Sequence, residues 1–254
     1  MASNRSADLC DYVLRQADSS LILGQRLAEW CGHAPELELD IALANLGLDL
    51  IGQARLLLTY AGEVEGDGRT EDQLAFLRDE TAFRNFLLVE QPNGDFAQTI
   101  VRQFLYTSYQ ELFFAALAGS ADARLAAIAE KSLKETIYHV RFSADWVIRL
   151  GDGTQESHRR MTDALEYLWR FTDEMFTPDA IDRDMQETGI GPDLAALQAE
   201  WDARIDAVLA HATLARPQSR RAAAGGREGH HTEHLGHLLA EMQYLQRAHP
   251  GADW

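Results

Sequence analysis

The sequence predicts an all-α protein built on a four-helix bundle with a long crossover and additional C-terminal helices. Apolar residues make up 46% of the 254 residues, and Leu and Ala dominate among them. The alternation of β-branched residues that is typical of strands is missing. Four long helical patterns fall into two pairs, and each pair is joined by a short corner. Helices joined so closely must run antiparallel, which predicts two helical hairpins.

The first hairpin combines residues 7–31 with residues 35–61. Apolar residues recur at helical spacing along residues 7–31, and Gly32 ends that helix. The second helix, Pro35–Ala61, is apolar almost all the way round, with one stripe through Leu37, Ile41 and Leu48 and another through leucines further round. A helix without a clear polar face is typical of a core, so we expect this helix to be wrapped by others.

A long connection, residues 62–93, separates the two hairpins. It opens with a polar, Gly-containing stretch, and Thr70 with Gln73 forms a capping-box sequence that predicts a short helix. The second hairpin then joins residues 95–118 to residues 121–150. Two hairpins and one long crossover are typical of a ferritin-like bundle.

The rest of the chain adds helices to this bundle. Helical patterns cover residues 154–176, two short segments opened by Pro178 and Pro192, and residues 232–247, while residues 216–231 resemble an irregular loop. No linker divides the chain. We therefore predict one domain over residues 1–254, with a core bundle at about 7–150 and additional helices at about 154–247.

Charge and composition exclude several classes of partner. The net charge of −17 repels nucleic acid and anionic membranes. The two cysteines, Cys10 and Cys31, make no disulfide framework, which fits a reducing compartment. We see no apolar run of the ~18 residues that a membrane span needs and no signal-peptide pattern. The sequence therefore predicts a cytoplasmic protein that binds neither nucleic acid nor membrane.

The hairpins carry the spacing of a metal site but lack its ligands. In ferritin-like di-iron proteins two helices each give one Glu and two others each give Glu-x-x-His, because residues i and i+3 share a helix face. The equivalent positions here are Gln25, Asp49, Gly52, Glu111, Glu135 and Tyr138. The separation is 24 residues in both hairpins, from 25 to 49 and from 111 to 135. Both hairpins are therefore built alike.

These substitutions predict a degenerate site that binds no metal and holds no catalytic residue. Gly52 has no side chain, Gln25 has no charge, and neutral Tyr138 is a poor ligand. His139 lies at i+4 from Glu135, but the other hairpin has no equivalent histidine. We interpret the remaining carboxylates as a polar network held by neighbouring side chains.

The last helix begins with a second histidine-rich motif. In HHTEHLGH, His231, His234 and His237 follow at one-turn spacing, which permits a zinc site. A helix start with exposed histidines explains the motif equally well, because no carboxylate or cysteine cluster lies beside it in the sequence.

Four long motifs stand out in the chain: RLAEWCGHAPELELDIALANLGLDLIGQAR, FLLVEQPNGDFA, KETIYHVRFSADWVIRLGDGT and HTEHLGHLLAEMQYLQR. They resemble the C-subunit family of the bacterial phenylacetyl-CoA 1,2-epoxidases of aerobic phenylacetate degradation. The resemblance covers residues from about 21 to 254. It implies a ferritin-like, non-catalytic subunit that pairs with a sister protein of the complex, the catalytic A component, and supports it.

The resemblance also implies cofactors and partners outside this chain. The A component would hold the di-iron centre, and a reductase component would carry FAD and an iron–sulfur cluster and take electrons from NADPH, with a small B component completing the oxygenase. The substrate of the complex would be phenylacetyl-CoA. Because coenzyme A carries phosphates that arginine binds well, we expect contacts to the substrate or to a partner at Phe83, Arg84, Asn85 and Arg220.

Two alternatives remain open on the sequence alone. The chain could be a metal-binding ferritin-like oxygenase active by itself, with Asp49, Glu111, Glu135 and His139 as ligands. It could also be a helical scaffold protein unrelated to oxygenation.

Overall fold

The all-α prediction is confirmed by the structure, a computed structural model that describes residues 2–218 and 222–252. Those residues form eleven α-helices and four short 3₁₀ helices, and none of them lies in a strand. The α-helices are α1 (Ala2–Ala28), α2 (Leu37–Glu65), α3 (Glu71–Phe76), α4 (Leu87–Glu90), α5 (Phe96–Leu117), α6 (Ala123–Gly151), α7 (Gln155–Leu168), α8 (Ala180–Glu187), α9 (Leu194–His211), α10 (Glu233–Met242) and α11 (Tyr244–Ala248). The 3₁₀ helices are Glu80–Ala82, Trp169–Phe171, Asp173–Phe176 and Gly226–Glu228.

The chain forms two compact units. The first, Met1–Pro92 with Gly225–Trp254, contains α1 to α4, α10 and α11. The second, Asn93–Ala224, contains α5 to α9. Each unit therefore holds one of the two predicted hairpins. The single domain over residues 1–254 stays a prediction.

In the first unit, α1 and α2 form the predicted antiparallel hairpin. The hydroxyl of Ser6, near the start of α1, donates to the carbonyl of Val64 near the end of α2 at 2.8 Å. At the other end of α1, a Cβ added to Gly24 would lie 3.3 Å from the carbonyl oxygen of Gly47. The absence of a side chain at Gly24 therefore lets the two backbones approach closely.

The crossover and the C-terminal helices of the first unit are tied together by side chains. The capping box predicted at Thr70 is confirmed: its hydroxyl accepts from the backbone N–H of Gln73. Gln243 is buried and donates to the carbonyls of Ala75 and Arg78 at 3.1 and 3.0 Å. The predicted helix over residues 232–247 is divided at Gln243 into α10 and α11.

In the second unit, α5 and α6 form the other hairpin, and α7 and α9 pack against α5. The indole N–H of Trp201 on α9 donates to the carbonyl of Leu105 on α5 at 3.0 Å. The ring of Trp201 also contacts Trp169 and Phe176. The helix predicted over residues 154–176 ends at Leu168, and two 3₁₀ helices follow, which carry the half-buried Trp169 and the buried Phe176.

The second helix, α2, differs most from its prediction. Leu43, Leu46 and Leu50 are buried, as expected, but Leu37, Ile41 and Leu48 are 69, 54 and 66% exposed. The expectation that other helices wrap α2 is therefore wrong for this stripe in the isolated chain.

The helix α2 is long and apolar enough to cross a membrane by length and composition. The expectation that the chain has no apolar run of that length is therefore wrong. A buried core helix passes the same test, and 44% of the most apolar window of α2 is buried.

Candidate functional site

The predicted metal positions of the first unit do not form a buried cluster. Gln25 on α1 and Asp49 on α2 are half-buried, and Gly52 is exposed. A Cβ built on Gly52 meets no atom within 4 Å. These positions therefore lie toward the edge and the outside of the hairpin.

In the second unit, the carboxylate of Glu111 is held by an arginine. Glu111 on α5 accepts from both Nη atoms of Arg204 on α9, at 2.8 and 3.4 Å. Glu135 on α6 is half-buried, and Tyr138 is 52% exposed, with its ring centroid 6.3 Å from that of Phe142. A cation bound to Glu111 would have to compete with the guanidinium of Arg204.

The buried residue pairs at i and i+3 lie one position further along each helix. Leu50 and Gln53 are buried on α2, and Thr136 and His139 are buried on α6. The hydroxyl of Thr136 donates to the carbonyl of Ser132 at 2.9 Å. The sequence analysis chose the neighbouring positions Glu135 and Tyr138 on α6, which are half-buried and exposed.

A di-iron centre does not fit these residues. The buried pairs Leu50–Gln53 and Thr136–His139 contain no carboxylate, and only His139 supplies an imidazole. Among the described residues, no three His, Cys, Asp or Glu side chains are grouped so that they could hold a metal ion.

Three of the four residues expected to contact the substrate or a partner make contacts within the first unit. Phe83 and Asn85 are buried. Arg84 donates to Asp11 at 3.1 Å and to the carbonyls of Thr81 and Phe83 at 2.8 and 2.9 Å. Arg220 lies outside the described residues. A role of these residues in binding the substrate or a partner stays a prediction.

The histidine-rich motif of the last helix supplies one buried hydrogen-bonded pair. The ring Nδ1 of His231 lies 2.8 Å from Oε2 of Glu90, and its Nε2 lies 3.1 Å from the carbonyl oxygen of Phe83. The other carboxylate oxygen of Glu90 accepts from the backbone N–H and the hydroxyl of Thr232 at 2.6 and 2.7 Å. His231 and Thr232 therefore connect the start of α10 to the crossover through hydrogen bonds. His237, in contrast, is exposed.

The fold and these positions define a class of protein: a ferritin-like helical protein whose hairpins lack the carboxylate–imidazole pairs of a di-iron centre. The chain belongs to the phenylacetic acid catabolic protein family, whose model matches residues 1–254. It is 54% identical over 246 residues to the C subunit of 1,2-phenylacetyl-CoA epoxidase from Escherichia coli (strain K12), an alignment that covers 97% of this chain and 99% of that protein. The resemblance recognised in the four motifs is confirmed.

Proposed function

We propose that this chain is the non-catalytic structural subunit of a cytoplasmic, multicomponent phenylacetyl-CoA ring 1,2-epoxidase. It would pair with the di-iron A component and support it, while the B component and a reductase using FAD, an iron–sulfur cluster and NADPH complete the complex. The identity of 54% to the C subunit of such an epoxidase supports the place of the chain in this complex. The chain itself would bind none of these cofactors.

One observation supports the non-catalytic role: neither buried pair, on α2 or on α6, contains a carboxylate. Thr136 and His139 are one turn apart and fully buried, yet Thr136 offers a hydroxyl that is already donated to Ser132. The equivalent pair on α2, Leu50 and Gln53, offers neither a carboxylate nor an imidazole. Without carboxylates the positive charge of two iron ions has no counter-charge at these positions.

Reconstitution of the complex tests this proposal. The chain is co-expressed with the A component encoded in the same genome, and phenylacetyl-CoA turnover is measured with the B component, the reductase and NADPH present. We expect turnover only when the A component is present, and more turnover with this chain than without it. Failure of the chain to co-purify with the A component would remove the proposal, and turnover without the A component would favour an independent oxygenase.

A further control separates structural support from a hidden contribution to chemistry. His139→Gln changes the one imidazole at the buried pairs, and its expected effect is on the stability of the chain. The ratio of kcat to KM per assembled complex should stay at the wild-type value. A large fall in kcat at unchanged assembly would assign His139 a part in the reaction.

A further inference from the structure

One side of α6 carries a row of exposed charged side chains around a tyrosine. We define the α6 face by Lys131, Lys134, Tyr138, Arg141 and Asp145, which follow one another at spacings of three and four residues. All five are exposed. The four charged side chains form no ion pair with any residue that the structure describes. The α6 face therefore offers both positive and negative charges that this chain leaves unmatched.

The centre of the α6 face is apolar. Tyr138 is 52% exposed, and its neighbour Ile137 is 51% exposed. The ring of Tyr138 lies beside that of the half-buried Phe142, with 6.3 Å between the centroids. Exposed aromatic and aliphatic side chains surrounded by charged ones are typical of a surface that another protein covers.

The charges of the α6 face are arranged so that the face complements itself. When two copies of a helix pack antiparallel across a two-fold axis at residue 138, each position before 138 faces the position equally far after it in the other copy. Lys131 lies seven positions before Tyr138 and Asp145 lies seven positions after it. The ammonium of Lys131 in each copy would therefore meet the carboxylate of Asp145 in the other.

Two more pairs of positions match in the same register. Glu135 and Arg141 lie three positions before and after Tyr138, which gives a second pair of opposite charges. Lys134 and Phe142 lie four positions before and after it, which places an ammonium beside an aromatic ring. Because the axis repeats each pair, the contact would contain four ion pairs and two cation–ring contacts.

Other arrangements of two α6 helices match less well. A parallel pair in register would place Lys131 against Lys131 of the second copy. An axis one turn earlier or later would place Lys134 or Arg141 against its own copy, and like charges opposite each other are destabilising. The order of the charges therefore selects the antiparallel contact centred on Tyr138.

We infer that the α6 face is a homodimer contact, in which two copies of this chain dock antiparallel across a two-fold axis at Tyr138. The net charge of −17 opposes the approach of two copies. At physiological salt, however, charges more than about 8 Å apart are largely screened, whereas the paired charges of the two faces meet at contact distance. An anionic polymer would also meet the lysines, but Asp145 within the face and the net charge repel it.

The test is sedimentation equilibrium of the purified full chain over a series of concentrations at physiological salt. One pair of helices buries less surface than a standard interface, so we expect a weak dimer with a Kd on the order of 10–100 μM. The association should stop at the dimer, because a two-fold contact closes on itself.

Charge reversal tests which residues face each other. Lys131→Glu would place a carboxylate opposite Asp145, and Asp145→Lys would place an ammonium opposite Lys131, so each should raise the dimer Kd about 10-fold or more. The double variant exchanges the two charges and should restore the wild-type Kd. The matched control is Glu241→Lys on α10, an exposed position off this face that changes the net charge as Asp145→Lys does and should dimerise like the wild type.

A cysteine at the two-fold axis tests the register directly. The background is Cys31→Ser, which removes the exposed thiol. Tyr138→Cys in this background should form a disulfide between two copies under mild oxidation, because the two residues at position 138 face each other. Leu245→Cys on α11 is the exposed control and should crosslink far less.

Circular dichroism verifies that each variant is folded, as expected for exposed positions. A wild-type chain that stays monomeric at about ten times the expected Kd would overturn the inference. A dimer that the single charge reversals leave unchanged, or that the double variant fails to restore, would overturn it as well. If the chain forms no dimer and Lys131→Glu instead weakens binding to the A component, the α6 face belongs to that protein. None of these results decides the proposed function, which depends on co-purification with the A component.

Discussion

The side chains of Glu90 and His231 form a buried pair in which both imidazole nitrogens face oxygen acceptors. Nδ1 lies 2.8 Å from Oε2 of Glu90 and Nε2 lies 3.1 Å from the carbonyl of Phe83, while both paired side chains are 0% exposed. A neutral imidazole has one N–H, so it satisfies only one of these acceptors. The geometry therefore favours the imidazolium, which makes the pair a buried charge pair.

We predict that the stabilisation from His231 declines as the pH rises. Burial alone lowers the pKa of His231. The hydrogen bond to Glu90, the negative charge of Glu90 and the hydrogen bond to the carbonyl of Phe83 raise the pKa by more, so it lies above its ordinary value of 6.5. A group whose pKa is raised on folding stabilises most below its unfolded pKa and loses that contribution as the pH rises through the folded pKa. The window therefore begins near pH 6.5 and extends upward.

Urea unfolding of the wild type and His231→Gln across this pH range measures the effect. The difference in unfolding free energy should be largest below pH 6.5 and shrink above it. Around its maximum it should reach about 3–5 kcal/mol, as when one member of a buried pair is removed. The control is His237→Gln at an exposed position, and a pH-independent difference for His231→Gln would contradict the prediction.

A second prediction compares a buried ion pair with an exposed one. Asp18 is fully buried, and its carboxylate binds the guanidinium of Arg78 and accepts from the backbone N–H of Arg84 at 2.8 Å. Asp18→Asn leaves Arg78 buried without its counter-charge and should destabilise the chain by about 3–5 kcal/mol in urea unfolding. Asp163→Asn breaks only an exposed pair with Arg159 and should cause no measurable change. Equal losses of unfolding free energy in the two variants would contradict the prediction that the buried pair contributes more than the exposed one.

A third prediction concerns Gly226, which lies against the crossover. A Cβ at Gly226 would overlap the carbonyl oxygen of Asn85, a backbone atom that cannot move aside alone. Gly226→Ala should therefore increase hydrogen exchange in residues 225–248 and in residues 81–90. The control Gly52→Ala has open space and should stabilise α2 by about 0.5–1 kcal/mol. Unchanged hydrogen exchange in Gly226→Ala would show that Gly226 does not pack closely against the backbone of Asn85.

A fourth prediction distinguishes the two thiols. Burial, with the charges of Glu65 and Asp11, raises the pKa of the Cys10 thiol to about 11, whereas Cys31 is exposed. At pH 8 a disulfide reagent should modify Cys31 rapidly and Cys10 only after unfolding, because the thiolate is the reactive form. The variant Cys31→Ser should then show no fast reaction. Rapid labelling of that variant would mean that Cys10 is accessible.

Most of the helices could be predicted from local sequence patterns, because the residues that start and end a helix lie within a few positions of one another. The capping box at Thr70 is an example, since both of its partners lie within three positions. The end of α10 at Gln243 could not be predicted this way. Its side chain binds carbonyls some 165 residues earlier in the chain, and only the folded structure brings them together.

The candidate site was harder to predict because neighbouring residues point in very different directions. One residue rotates a helix position by about 100°, so choosing Glu135 and Tyr138 instead of Thr136 and His139 moves the pair from a buried to a partly exposed face. The exposure of Leu37, Ile41 and Leu48 on α2 was missed for another reason. Leu48 and Leu50 are the same residue type on a helix that is apolar all round, so the sequence does not indicate that Leu50 is buried and Leu48 is exposed.

If this chain lacks the ligands for a di-iron centre and supports a partner that has them, iron should enter the complex only with that partner. The most direct measurement is the iron content of the purified chain and of its complex with the A component, after dialysis of both. We expect iron only in the complex, and we expect the iron to stay with the A component when the two proteins are separated. A di-iron centre retained by the isolated chain would contradict this expectation.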